Sequence, residues 1–264
     1  AGIVTGLVCC GFELALDAVV STRLAWLQEL PSLWRWGGAF VSGALMAGLA
    51  IGLTSRFAPE AGGSGIPEIE GALEGLRPVR WQRVLPVKFF GGLTALGSGM
   101  ILGREGPSVQ IGGNVGAMVA TLDRQSADSR HVLLAAGAAA GLTAAFNAPL
   151  AAILFVLEEL RSQFRYSFLS VKAVSVAVIS ATLLRHGLIG DKPIFSLPEL
   201  AAPPLAHLGA YLLLGCVAGV CGVLLNRFVA WGQDGYLAWH RGRRHVLVAT
   251  VAMVGGVFGL LSLT

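Results

Sequence analysis

Apolar runs of near-membrane length dominate the chain. Against a hydrocarbon span of about 20 helical residues, they fall at residues 1–20, 37–55, 84–102, 109–122, 132–157, 167–184, 205–230 and 246–263. Residues 64–76 read as a short amphiphilic helix that cannot span. The run 132–157 is interrupted by Asn147-Ala148-Pro149. Proline lacks a backbone donor and disfavours helix in the residue before it. The run therefore splits into two helices, with Pro149 opening the second. Unequal, broken helices point away from a simple bundle. Non-helical backbone at membrane depth is tolerated only where protein buries it or where it lines a wet cavity, and discontinuous helices of this kind bind ions in transporters.

Composition supports the membrane reading. The 264 residues are 55% hydrophobic and only 13% charged, where a soluble domain carries about a quarter charged residues. Mean hydropathy is +0.71. The 36 glycines suit close approach of membrane helices. The net charge of +4 comes from basic residues in short loops, which act as topology signals; no nucleic-acid-binding motif appears. Arg77, Arg80 and Arg83, then Arg161 and Arg165, then Arg241, Arg243 and Arg244 mark cytoplasmic loops, and 185–204 is placed outside. Cys9, Cys10, Cys216 and Cys221 lie in apolar stretches without metal-ligand spacing and read as small buried hydrophobes. No cofactor is expected.

Two segments carry the chemistry. The first is Gly62-Gly63-Ser64-Gly65-Ile66-Pro67-Glu68, and the second is Gly103-Arg104-Glu105-Gly106-Pro107. In each, glycines precede a proline at the start of a helix. The free N–H groups and positive dipole of such a start bind an anion without a full positive charge. Ser64 adds a hydroxyl donor, although the same segment also reads as a glycine turn with an N-capping serine. Glu105 stands out most, because a carboxylate inside lipid costs from about 2.5 to more than 10 kcal/mol and is retained for use. It can compete with an anion for the same N–H groups when charged and release them when protonated. A helix-capping role is the plain alternative. Glu158 and Glu159, followed by Arg161 and Arg165, read either as a solvated helix end or as functional acids, since acids at a helix C-terminus oppose its dipole.

These segments, with Val109-Gln110-Ile111-Gly112-Gly113-Asn114 and the run Gly137–Leu160, occur together in the order found in the CLC chloride channel and transporter family. The chain resembles its bacterial proton–chloride antiporters over nearly its whole length. The resemblance implies an all-α polytopic membrane protein with inverted repeats of broken, tilted helices. It places the first repeat at 1–186 and the opening helices of the second at 203–264. It implies that Ser64 contacts a central chloride, that Gly63 and Gly65 contribute backbone beside it, and that Arg104, Gly106 and Pro107 flank the external gating glutamate, Glu105. Glu159 corresponds to the internal proton acceptor, with Glu158 its neighbour and Gln163 a nearby polar residue. Channel members often lack an acid at that position, so its presence favours antiport. Chloride and protons are the implied substrates, a homodimer in a bacterial inner membrane the implied assembly. Lys88 either snorkels to the interface or, as the resemblance implies, is buried where it raises the potential around the anion path.

No second-repeat Gly-x-Phe-x-Pro segment is present, and none of Tyr166, Tyr211 and Tyr236 sits where the family's late tyrosine would. The chain begins with Ala1 and ends within an apolar run, so a longer parent is expected and the anion site is read as half built. A passive chloride channel, an inactive piece of a transporter and an intramembrane serine protease using Ser64 remain the alternatives. The last would need a histidine base within reach of the serine.

Overall fold

The computed structural model describes residues 1–159, 167–191, 207–240 and 243–263, leaving aside the side chains of residues 159, 237, 238 and 240. Every regular element among them is helical. The α-helices are α1 (Gly2–Glu29), α2 (Ser32–Phe57), α3 (Ile66–Leu73), α4 (Trp81–Gly97), α5 (Glu105–Leu122), α6 (Ala127–Phe146), α7 (Pro149–Glu159), α8 (Phe168–Leu188), α9 (Leu208–His240) and α10 (Arg244–Leu261), with a 3-10 turn at Pro59–Ala61. Five of them, α1, α2, α8, α9 and α10, are long and apolar enough to cross a membrane.

Packing divides the chain into two units, Ala1–Ile194 with Val248–Thr264, and Phe195–Leu247. This division follows contacts, whereas the expected boundary near 186 and 203 follows repeat ancestry, which packing does not address. The second unit's helix, α9, is exposed along its described length.

The first unit is built around α6, whose stretch Leu134–Ala145 is buried throughout. Its residues are almost all alanine and glycine, so α5, α8, α1 and α7 can all pack against it. The tightest seam is with α5. A Cβ on Gly112 would lie 2.2 Å from the Gly137 carbonyl oxygen, and one on Gly141 would lie 2.2 Å from that of Ser108. Such backbone proximity is the small-residue packing on which membrane helices rely when lipid offers no hydrophobic drive. Beyond α6, the chain breaks where the sequence predicts. Asn147 takes a left-handed conformation (φ 53°) as the C-cap, a role suited to asparagine, and Pro149 begins α7.

Element ends differ from the apolar runs. The run 84–102 overshoots α4, which stops at Gly97; Gly99 turns left-handed (φ 95°), and irregular backbone leads to α5. That helix starts at Glu105, so Pro107 lies within the first turn instead of opening it, where its missing N–H costs no helical bond. Arg185 belongs to the last turn of α8 and is buried, not part of an outer loop. Hydropathy registers apolar composition and not backbone hydrogen bonding, so its runs overshoot one helix end and stop short of another.

Candidate functional site

The two glycine-bounded segments come together. A cavity of about 560 Å³ is lined by Gly62, Gly63, Ser64, Lys88, Gly103, Glu105, Gly106 and Pro107, with apolar walls that include Ile51, Val87 and Leu96. Their backbones touch: a Cβ on Gly106 would lie 2.2 Å from the Ser64 carbonyl oxygen, and one on Gly65 would lie 2.6 Å from the Gln110 side chain. Glycine is required at both places by space, and at Gly65 also by its φ of 95°.

The first segment turns through Gly63 (φ 69°) and Gly65. Gly65, not Ser64, is the N-cap of α3, with Pro67 in the first helical positions. The Ser64 hydroxyl accepts only a long 3.4 Å bond from the Ile66 N–H and is otherwise exposed to the cavity. Lys88 resolves to burial. At 5% exposure, its Nζ donates to the carbonyl oxygens of Ala61 (3.0 Å) and Gly63 (2.9 Å). It therefore rivets the loop from α4 and does not snorkel. Gln110 adds a second rivet, donating from Nε2 to the Glu60 carbonyl at 2.7 Å.

The second segment enters α5 with Arg104 as N-cap and Glu105 as first residue. The N–H groups of Glu105 and Gly106 have no acceptor in their own helix by position. Arg104 accepts from the Ser108 N–H (3.1 Å) and hydroxyl (2.8 Å) through its carbonyl. Its guanidinium turns away from the cavity to Glu13 of α1, at 3.1 Å. So Arg104 does not line the cavity and offers it charge only at a distance. The Glu105 carboxylate makes no hydrogen bond or ion pair among the described residues and faces the cavity.

Glu158 is exposed in the last turn of α7. Glu159 closes that helix, but its side chain, like all of Gln163, lies outside the described residues. Two histidines near helix ends lie elsewhere: His186 meets Asn147 Oδ1 at 2.8 Å, and His131 lines a different cavity beside Asp123 and Asp128.

Sequence reading missed Glu13 and Arg185. Glu13 is an acid in the middle of an apolar run, the same signal that singled out Glu105. Its Oε1 meets Arg104 at 3.1 Å and Arg185 at 3.5 Å, and Arg185 in turn donates to the carbonyls of Ala144 (2.9 Å) and Gly190 (3.2 Å).

Comparison with known proteins fits this geometry. The family described as voltage gated chloride channel matches residues 45–264. The chain belongs to that family. It is 53% identical over 99% of its length to the H(+)/Cl(-) exchange transporter ClcA of Vibrio cholerae and 52% identical to that of Yersinia pestis, covering 57% and 55% of those proteins. The chain thus spans little more than half the length of the curated relatives it matches. Among solved structures, a slow cyanobacterial Cl-/H+ antiporter superposes with a TM-score of 0.91 at 36% identity, over 100% of this chain and 62% of that one. The all-α, broken-helix fold is therefore that of the voltage gated chloride channel family, and the chain is part of a multi-pass integral membrane protein.

Proposed function

We propose that the complete protein carrying this chain exchanges chloride for protons across a membrane, working as a homodimer. One observation carries the reading: an unpaired carboxylate, Glu105, shares a cavity with the Ser64 hydroxyl and the open N-terminus of α5. The cavity wall supplies oriented N–H groups, a hydroxyl and the Lys88 cation, all of which favour an anion. Glu105 is covalently part of that wall. When charged, its carboxylate takes the place of a halide; when protonated, it gives that place up, and the proton it carries moves with the exchange. Glu159 at the end of α7 is assigned the proton's entry from the cytoplasm, with Glu158 and Gln163 beside it. Gly63, Ser64, Gly65 and Gly106 shape the chloride seat. The ClcA relatives are named as H(+)/Cl(-) exchange transporters, which supports exchange over passive conduction.

Reconstitution of the complete protein in liposomes tests this. An outward chloride gradient should drive protons inward against their own gradient, and Glu105→Ala should end proton movement while chloride still flows. Chloride flux with no proton movement in the unsubstituted protein would instead establish a channel. Proton pumping that survives Glu105→Ala would refute the gate.

A further inference from the structure

We propose that Glu13 is a positioning residue for the gate, acting through Arg104; the proposal rests on the reading of Glu105 given above.

The backbone of the segment that carries Glu105 packs on the Ser64 loop at Gly106, but few side chains hold it. Gly103 and Gly106 flank it without side chains, and the Glu105 side chain is unpaired among the described residues. Beyond the Ser108 hydroxyl on the Arg104 carbonyl, the tether to the rest of the protein among the described residues is the Arg104 guanidinium, which ends on Glu13 in α1. Glu13 is 8% exposed and is itself fixed from the other side by Arg185 of α8, which is 3% exposed. Arg185 is held by the carbonyls of Ala144 and Gly190. A chain of contacts therefore runs from the ends of α6 and α8 through one carboxylate oxygen to the residue preceding the gate. Two guanidiniums on a single buried carboxylate are more than a structural pair needs. Breaking a buried ion pair is costly, and the Arg104 guanidinium relies on Glu13 for its place, whereas Arg185 also keeps the carbonyls of Ala144 and Gly190.

The consequence is positional. Competition between the Glu105 carboxylate and a halide requires both to reach the same N–H groups. If Arg104 is released, the backbone between two glycines loses its register, and a charged Glu105 no longer excludes chloride reliably. Chloride then passes without its proton.

The test is exchange by the complete protein in liposomes, with chloride and proton fluxes measured together. Glu13→Gln should raise the chloride-to-proton ratio at least about twofold, and Arg104→Gln should do the same. The double variant should be no worse than either single one, because both cut the same tether; non-additivity of this kind marks residues in one network. Asp17→Asn, an exposed acid one turn further along α1, makes the same charge change outside the network and should leave the ratio unchanged. If Glu13→Gln does not assemble, Arg104→Gln cuts the tether from its other end. An unaltered ratio in Arg104→Gln, or effects of the two substitutions that multiply, would overturn the proposal. An unsubstituted protein that moves chloride without protons would instead refute exchange itself. In that event chloride flux in Arg104→Gln still decides the tether, with an unchanged flux counting against it.

Discussion

Replacing Gly106 by alanine tests the site where its two halves meet. The new Cβ would stand 2.2 Å from the Ser64 carbonyl oxygen, 2.8 Å from its carbonyl carbon and 2.9 Å from its Cα. All three neighbours are backbone, so no side chain can swing aside. Ordinary contact begins at 3.4 Å, which means one loop must retreat by about 1.2 Å (3.4 less 2.2). Overpacking of this kind costs roughly 1–3 kcal/mol. The functional loss is separable from that cost. A hydrogen bond to a charged group is worth about 1.5–3 kcal/mol, and a shift of an ångström removes one N–H from reach of the anion. At 1.4 kcal/mol per decade, chloride affinity should fall by about 10- to 150-fold. Calorimetric titration of the purified complete protein with chloride reads this directly. Gly11→Ala is the control, since a Cβ there meets nothing within 4 Å. Chloride affinity within twofold of the unsubstituted protein in Gly106→Ala would refute the claim that these two backbones jointly form the seat.

Further expectations follow from the same geometry. Gly137→Ala places a Cβ 2.2 Å from the Gly112 carbonyl oxygen and should prise α5 from α6, lowering the thermal midpoint in detergent by several degrees; an unchanged midpoint would show that the seam is slack. Lys88→Met leaves the Ala61 and Gly63 carbonyls without their donor and removes a cation from the cavity wall, so both stability and chloride affinity should drop, by about tenfold or more for the latter; retention of full affinity would deny the lysine any part in the site. Partial burial of Glu60, in the turn after α2, works against its ionisation. Its hydrogen bond from Arg83, its own backbone, and the charges of Arg83 and Arg80 outweigh that and hold its carboxyl below the usual range. A depressed carboxyl adds stability that is complete above its unfolded value near 4.5 and is lost as pH falls through the folded one. Melting curves taken on descending from about pH 6 to pH 3 should therefore fall more steeply for the unsubstituted protein than for Glu60→Gln, and parallel curves would contradict the sign.

Much of this fold could be read from sequence because its decisive features are local. Asn147-Ala148-Pro149 announces a helix end and a helix start within three residues, and both occur there. Pro67 behind Gly65 foretells α3. The two glycine-bounded segments that share the cavity were legible for the same reason, since glycine, proline and a misplaced acid carry meaning within a few positions. What escaped depends on distance along the chain. Glu13 and Arg104 are 91 residues apart, and nothing near Glu13 names its partner. Lys88 could be resolved only by placing α4 behind the Ser64 loop, because snorkelling and burial leave the same local pattern. Helix ends were missed where hydropathy was the sole guide. Arg185 looks like the first residue of a polar loop but closes α8 from within, its charge met by Glu13 and its donors by two carbonyls.

In the exchange proposed above, the placement of charge around the cavity would let an anion be held with few full charges beside it. Lys88 spends two of its hydrogens on the Ala61 and Gly63 carbonyls, so its first effect is orientation. A trans peptide whose oxygen faces the lysine must point its N–H the other way. The Gly63 carbonyl thereby sets the Ser64 N–H facing away from Lys88, on a residue that lines the cavity. Arg104 likewise gives its guanidinium to Glu13, away from the cavity. Neither cation has to touch the anion. A directly bound lysine or arginine would hold a halide too tightly to let it go, since charge in a low-dielectric site is screened so little. Dipoles fixed by cations that stand back from the anion would give a shallower well, and a shallow well is one that a carboxylate on the same wall can win or lose by gaining or losing a single proton. For the exchange proposed above, a Glu105 carboxylate unpaired among the described residues is what such competition requires: a gate with a permanent partner would have no reason to compete.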